Sequence, residues 1–280
     1  MGYWFSKYFS KKGFQLSLYD TNLSSLKAVD DMRVHNTIGD CVQNADIVIV
    51  CVPAKSIPLT IEQCVPMMKK GAVLAEISSV KYQTFEALKT IRAKVKPLCI
   101  HPMFGPGKTD FNELKMLLIP VKNEEVEIKI LNDIFDEPIV KVIKNPHIHD
   151  RLIAIVLGLT HFTNTVFASF LSEQNFSYLR EIGGTTFEIQ SLLAASILTE
   201  EDDLLVTLLI ENPAARRQIQ RYLRETNKFA SMISNSDTLL LKTAFDQTRS
   251  HFQTDQNLKL LYERMYQITE KIGHENENKK

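Results

Sequence analysis

The sequence predicts an α/β protein in two parts, a doubly wound, mostly parallel sheet followed by an all-helical domain. Three features point there. The 280 residues fit two ordinary domains better than one. Up to about Lys144, short apolar runs alternate with helical stretches, which requires crossover connections and hence parallel strands. From Asn145 onward the strand signals nearly vanish. The predicted domains are therefore residues 1–144 and 145–280.

Residues 2–12 form the first predicted helix, and Gly13 closes it. Residues 14–19 (FQLSLY) alternate as a half-buried strand does. Residues 46–52 (DIVIVCV) and 72–77 (AVLAEI) are apolar runs of the kind buried on both faces. Residues 97–100 (PLCI), 115–121 (KMLLIPV) and 138–143 (PIVKVI) complete the strands, with helices at 55–69, 82–94 and 124–135 between them. In the second half Asn145 is placed to cap a helix with Pro146 at its first position, and the apolar run continues to about Leu171. Further helices are predicted at 185–198, 202–211, 213–233 and 236–272, the last in one piece or two, before a frayed polar tail at 274–280.

Bulk composition narrows the function classes. Lys plus Arg and Asp plus Glu are both 33, so a formal charge of zero favours neither nucleic acid nor an anionic membrane. The cysteines Cys41, Cys51, Cys64 and Cys99 show no CxxC spacing and read as reduced thiols of a cytoplasmic protein. The apolar stretch 152–170 contains His161, Asn164 and hydroxyl residues, each costly in lipid, so it reads as a helix buried in protein. No spacing of His, Cys, Asp and Glu suggests a metal site.

A nucleotide-binding βαβ unit opens with a strand, then G-x-G-x-x-G, then a helix whose N-terminus meets the diphosphate. Here Met1-Gly2 fit the last positions of that pattern, with Gly2 the glycine for close helix–strand packing. Asp20 follows strand 14–19 at about the spacing of the acid that binds the ribose hydroxyls and disfavours a 2′-phosphate. Equally, Asp20 reads as the turn residue of Asp20-Thr21-Asn22. The sheet's first strand is expected to precede Met1.

Ligands of open α/β sheets sit beyond the carboxyl ends of the strands. Strand 46–52 ends at Pro53, a cofactor-side position; strand 72–77 runs into Ser78-Ser79-Val80-Lys81, and PLCI runs into His101-Pro102. Ser79, Lys81 and His101 should therefore share one crevice. His101 is the natural general base, or else a strand-end histidine bonded to a loop carbonyl. Ser79 also reads as a helix N-cap, and Lys81 as a solvated surface residue. In the helical half, His161 and Asn164 lie one turn apart, and His161 also reads as a satisfied core residue. His149-Asp150 reads as serving the start of its own helix.

In this order, ISSVK (77–81), HPMFGPG (101–107), HDRLIAIVLGLTHF (149–162) and GGTTFEIQ (183–190) resemble the prephenate dehydrogenase family over essentially the whole chain. The resemblance implies a Rossmann-type NAD-binding domain, a helical dimerisation domain that makes a homodimer, and a site in the cleft between them. It implies oxidative decarboxylation of prephenate to 4-hydroxyphenylpyruvate in tyrosine biosynthesis. By residue match, His101 accepts a hydrogen bond from the ring hydroxyl, Ser79 assists it, His161 is the second histidine of the pocket, and Lys81 lies near the same site. Asn164, one turn beyond His161, is expected on the substrate side with it. Where many members carry an Arg that pairs with a substrate carboxylate, this chain has Glu188. An acid cannot make a bidentate Arg contact, so either Arg180, Arg216 or Arg217 replaces it, or the substrate is arogenate, whose ammonium Glu188 would face. Two other readings stand beside this one. An oxidoreductase of the β-hydroxyacid type would place a catalytic Lys where this chain has His161 and Asn164. A non-catalytic binding protein would have no need of Ser79, His101 and His161 together.

Overall fold

The structure is a computed structural model that describes residues 1–22, 26, 32–91, 94–255 and 257–277. The chain forms two compact units, Met1–Ala154 with Val206–Asn212, and Ile155–Leu205 with Pro213–Lys280. The break in the chain falls after Ala154, because the helix that begins at Pro146 is bound to the first unit by its buried polar residues, described below.

The first unit begins with α1 (Gly2–Lys11), which buries Trp4, Phe5, Tyr8 and Phe9 along one side. Its end is a Schellman turn. Gly13 takes φ +80°, its N–H reaches Ser10 O at 2.9 Å, and Phe14 N reaches Phe9 O at 3.1 Å. The Phe9 and Phe14 rings meet 5.3 Å apart, the apolar contact that usually closes this motif. Next come β1 (Ser17–Leu18), β2 (Arg33–Val34), α2 (Ile38–Val42), β3 (Ile47–Val50), α3 (Ile57–Cys64), β4 (Val73–Glu76), α4 (Tyr82–Lys89), β5 (Lys96–Pro102), β6 (Lys115–Leu118), α5 (Glu124–Ile134), β7 (Ile139–Val142) and α6 (Pro146–Ile153).

Five strands form one sheet in the order β3-β4-β5-β6-β7, and β1 and β2 form a separate parallel pair. All neighbours in the larger sheet are parallel except β5 and β6, whose register sets His101 opposite Leu117. Alternate side chains enter different cores, as the two-residue period of a strand requires. Val73 and Ala75 of β4 and Leu98 and Ile100 of β5 pack with the aromatic face of α1 and with Leu131 and Ile134 of α5. Leu74 and Cys99 point the other way, to Val42, Ile57, Ile61 and Leu88. Helices thus cover both faces, the doubly wound arrangement expected. The strand predicted over 14–19 shrinks to two residues, since Phe14 is spent on closing α1.

The second unit contains α7 (Thr160–Ser172), α8 (Phe176–Ile182), α9 (Thr185–Ile197), most of α10 (Asp202–Val206), α11 (Pro213–Ser234), α12 (Thr238–Asp255) and α13 (Leu258–Glu277). A π-helical turn at Ala154–Leu159 leads into α7, and another at Thr207–Glu211 precedes α11. Asn164 of α7 is buried and accepts from Gln190 Nε2 of α9 at 2.8 Å. At Gly183 a Cβ would lie 2.5 Å from Phe187 Cδ1 and 3.0 Å from Leu179 O, so only glycine fits the junction of α8 and α9. The helical run Pro146–Ser172 is long and apolar enough to cross a membrane by length and composition. Residues 92–93 of the predicted helix 82–94, residue 256 of the helix 236–272 and residues 278–280 of the tail lie outside the described residues.

Candidate active site

The carboxyl end of β4 carries a buried charge. Glu76 aligns with Cys99 of β5 and has no solvent-exposed surface. Its Oε1 accepts from Lys81 Nζ at 2.7 Å and from the Cys99 thiol at 2.9 Å. Its Oε2 accepts from Ser78 N at 3.0 Å and the Ser78 hydroxyl at 2.7 Å. All four acceptor directions of the carboxylate are used, which is what allows it to stay in the core. Lys81 Nζ donates as well to Ile100 O at 2.6 Å, tying the loop after β4 to β5 next to His101. Burial first, and then Glu76, hold the Cys99 thiol well above its ordinary pKa, so it is a core thiol rather than a nucleophile.

His101 lies within β5 and is 3% exposed. Its Nδ1 is 3.0 Å from Nε2 of His149, a fully buried residue of α6. His149 Nδ1 is in turn 2.8 Å from Asp150 Oδ1. Asp150 binds the start of α4: Oδ1 accepts from Lys81 N at 2.7 Å and Oδ2 from Tyr82 N at 3.0 Å. Those two amides belong to a helix N-terminus with no side-chain cap of its own, where a carboxylate is favoured. Asn212 Nδ2 holds the Asp150 carbonyl at 2.8 Å. The pair His149-Asp150 therefore serves the terminus of α4, whereas α6 starts on Asn145, whose Oδ1 accepts from His147 N at 2.8 Å.

Both imidazoles are held below the usual histidine range. For His101 burial is the main cause, then His149 and Lys81, and the shift is large. For His149 burial again dominates, and the Asp150 hydrogen bond opposes it without winning. Both rings are therefore neutral at neutral pH. Thr165 Oγ1 is the one buried side-chain polar atom without a partner among the described residues. His101 Nε2 makes no hydrogen bond among those residues either, so it is the ring nitrogen that keeps access to solvent.

Ser79 follows β4 on the same edge of the sheet, is half-buried, and leaves its hydroxyl unbonded among the described residues. It is not the cap of α4, because Asp150 takes that place. Lys81 departs from expectation in both of its readings. It is neither solvated nor free to meet a substrate, since its ammonium is fully buried on Glu76 and Ile100. Pro53 is exposed just beyond β3. Gly2 is near Cys51, yet a Cβ there would meet Cys51 Cβ at 3.5 Å, an ordinary contact, so the close packing expected of this glycine is not required. Asp20 is exposed beyond β1 and its Oδ1 accepts from Asn22 N at 2.8 Å, the turn predicted for it.

In the second unit, His161 is half-buried with Nδ1 2.8 Å from Leu157 O, one turn back in the helix. Asn164 donates to Thr160 O at 2.9 Å and accepts from Gln190, which consumes the amide in helix packing and leaves little for a substrate. Glu188 is exposed in the first turn of α9, where an acid suits the helix dipole. Arg180, Arg216 and Arg217 are exposed as well. Glu76, His149 and Asp150 were missed as site residues. A signal for the first was present, a lone acid inside the apolar run AVLAEI. Nothing in the sequence tied Asp150 to a helix 68 residues earlier.

Residues 5–144, half of the chain, match the family described as prephenate dehydrogenase, nucleotide-binding domain. A protein of Methanocaldococcus jannaschii named probable arogenate/prephenate dehydrogenase is 24% identical over 264 residues, 91% of this chain and 59% of that protein. The T-protein of Haemophilus influenzae is 21% identical over 254 residues, 90% of this chain and 64% of its own length. The chain thus spans about three fifths of the length of these relatives. Among solved structures, prephenate dehydrogenase from A. aeolicus, in complex with hydroxyphenyl propionate and NAD+, superposes with a TM-score of 0.72 at 18% identity, covering 90% of this chain and 94% of that one. Synechocystis arogenate dehydrogenase gives 0.63 at 18% identity, covering 88% and 92%. Both structures share the fold of a Rossmann-type domain joined to helices. The chain belongs to the prephenate dehydrogenase family.

Proposed function

We propose that the protein catalyses the NAD-dependent oxidative decarboxylation of prephenate to 4-hydroxyphenylpyruvate, a step of tyrosine biosynthesis, with His101 accepting the proton of the ring hydroxyl. One observation carries this reading. His101 is a buried, neutral imidazole at the carboxyl edge of the sheet whose only unbonded nitrogen has access to solvent. A base on that hydroxyl lowers the barrier to hydride loss, because the hydroxyl carbon becomes a carbonyl as the hydride leaves. Ser79, with its free hydroxyl on the same edge, is assigned to orient the ring hydroxyl. His161, whose Nδ1 bonds Leu157 O within its own helical run, is assigned to the substrate by residue match.

The residues present fit a dinucleotide. The N-terminus of α1 has neither a side-chain cap nor an acid in its first turn, which suits a diphosphate. Gly2 begins that helix, Asp20 lies beyond β1 to take ribose hydroxyls, and Pro53 lies beyond β3. NAD, when bound, supplies the hydride acceptor.

Glu188 favours a second reading, arogenate as substrate, since an exposed acid suits an ammonium and repels a second carboxylate. We also assign the protein to the cytoplasm, consistent with four free cysteines, and to a homodimer. Ile155, Val156, Val166 and Phe170 of the second unit are all exposed, an apolar surface that a second copy would cover. Sedimentation as a monomer at micromolar concentration would remove the dimer. The test of the reaction is NADH formation with prephenate and, separately, with arogenate, in the wild type and in His101→Asn. The variant should lose roughly 10²- to 10⁴-fold in kcat with NAD affinity unchanged. Equal turnover by the two proteins would remove His101 from the chemistry.

A further inference from the structure

The chain His101–His149–Asp150 has only one consistent arrangement of protons. Asp150 accepts two backbone N–H groups and offers His149 no donor, so the 2.8 Å contact requires a proton on His149 Nδ1. His149 is neutral, so its Nε2 is bare and accepts. The 3.0 Å contact then requires the proton of His101 on Nδ1, and leaves His101 Nε2 bare. We propose that His149 and Asp150 are positioning residues that lock His101 in its Nδ1–H tautomer and present Nε2 as the proton acceptor. This deepens the reading of His101 as the base and rests on it.

The arrangement bears on the reaction as well as on the resting state. As the substrate O–H bond breaks, its proton forms a bond to His101 Nε2, and its electron pair completes the carbonyl while the hydride leaves the same carbon. His101 then carries a positive charge in a buried place. The Nδ1–H bond to His149, polarised by Asp150, is the route by which that charge is spread. The other charged and titratable groups near the ring are Lys81 of the β4–α4 connection, Glu76 at the end of β4, and Cys99 of β5, which bonds the same carboxylate oxygen of Glu76 as Lys81 does. Lys81 works against protonation, and Asp150 is the anion connected to His101 through hydrogen bonds. An isolated histidine populates both tautomers, so without the pair part of the enzyme would present a donor where an acceptor is needed.

Two measurements test this. In protein labelled with ¹⁵N-histidine, long-range ¹H–¹⁵N spectra report each tautomer, and the His101 signals are those lost in His101→Gln. His101 should show a protonated Nδ1 and a bare Nε2 at neutral pH; a protonated Nε2 overturns the proposal. In His149→Leu the His101 signals should move to a mixture, and kcat should fall roughly 10²-fold with the KM for NAD unchanged. His149→Gln, whose side-chain oxygen still accepts, should restore most of the tautomer and part of kcat. Equal losses in both variants, paralleled by equal losses of thermal stability, would mean a merely structural role and overturn the proposal. A locked tautomer in a protein that turns over neither prephenate nor arogenate would support the lock and overturn the functional reading instead.

Discussion

Lys81 Nζ lies 2.7 Å from Glu76 Oε1, and neither side chain has any contact with solvent. A lysine whose motif placed it beside a substrate is thus a brace between the loop after β4 and the backbone of β5. The brace matters to the site because its second bond, to Ile100 O, holds the residue next to His101.

Breaking the brace should cost stability rather than substrate affinity. Lys81→Met leaves Glu76 charged and unpaired in the core, a loss of about 3–5 kcal/mol. Lys81→Met combined with Glu76→Leu should recover much of it, because no buried charge is then left alone. Urea denaturation of the single and double variants checks this. An unchanged midpoint for Lys81→Met with a raised substrate KM would return Lys81 to the substrate.

The two buried histidines make stability depend on pH. Their folded pKa values are both held below the ordinary value, so as pH falls the unfolded chain takes up protons first. Stability should be full above about pH 6.5 and decline as pH falls from there toward the folded values, by at most about 1.4 kcal/mol per pH unit for each histidine. Denaturation midpoints on either side of pH ~6.5 measure the slope, which should shrink in His101→Gln. For the same reason the acid limb of kcat should lie below about pH 6.5, since the base acts only when neutral.

Asn164 is predicted to be a packing residue. Asn164→Leu strands the Gln190 amide and should cost about 1–3 kcal/mol, read from thermal or urea denaturation, with the substrate KM little changed. A large rise in KM without loss of stability would place Asn164 at the substrate.

Glu188 is exposed, so Glu188→Arg should fold, with a helix-dipole penalty of about 0.3–1 kcal/mol. The ratio of kcat/KM for prephenate to that for arogenate should rise in the variant. An unchanged ratio would remove Glu188 from the residues that read the substrate.

The larger elements were legible from periodicity. Runs such as DIVIVCV and AVLAEI became β3 and β4, the Asn145-Pro146 start became α6, and Gly13 became the end of α1. Each of those is a local matter, decided by side-chain alternation or by a few backbone hydrogen bonds within a turn. The two-residue β2 and the five-residue α2 were not legible, being shorter than a period can establish. Local order along the chain also pointed to His101 and Ser79, because strand ends on one edge of a parallel sheet converge by topology alone.

Partnerships between distant residues could not be read that way. Glu76 reaches Lys81 by folding back over its own loop, whereas Asp150 reaches the amides of Lys81 and Tyr82 from α6, 69 and 68 residues away. Whether Lys81 faced water, substrate or core depended on which carboxylate lay within 3 Å, a fact of packing that pattern does not encode. The same holds for His149, whose role near its own helix start was misread until its ring was seen against His101. Residue types that carry chemistry are written in the chain, but desolvation and hydrogen-bond partners arise only when separate segments exclude water together, and those set which histidine nitrogen is left to act.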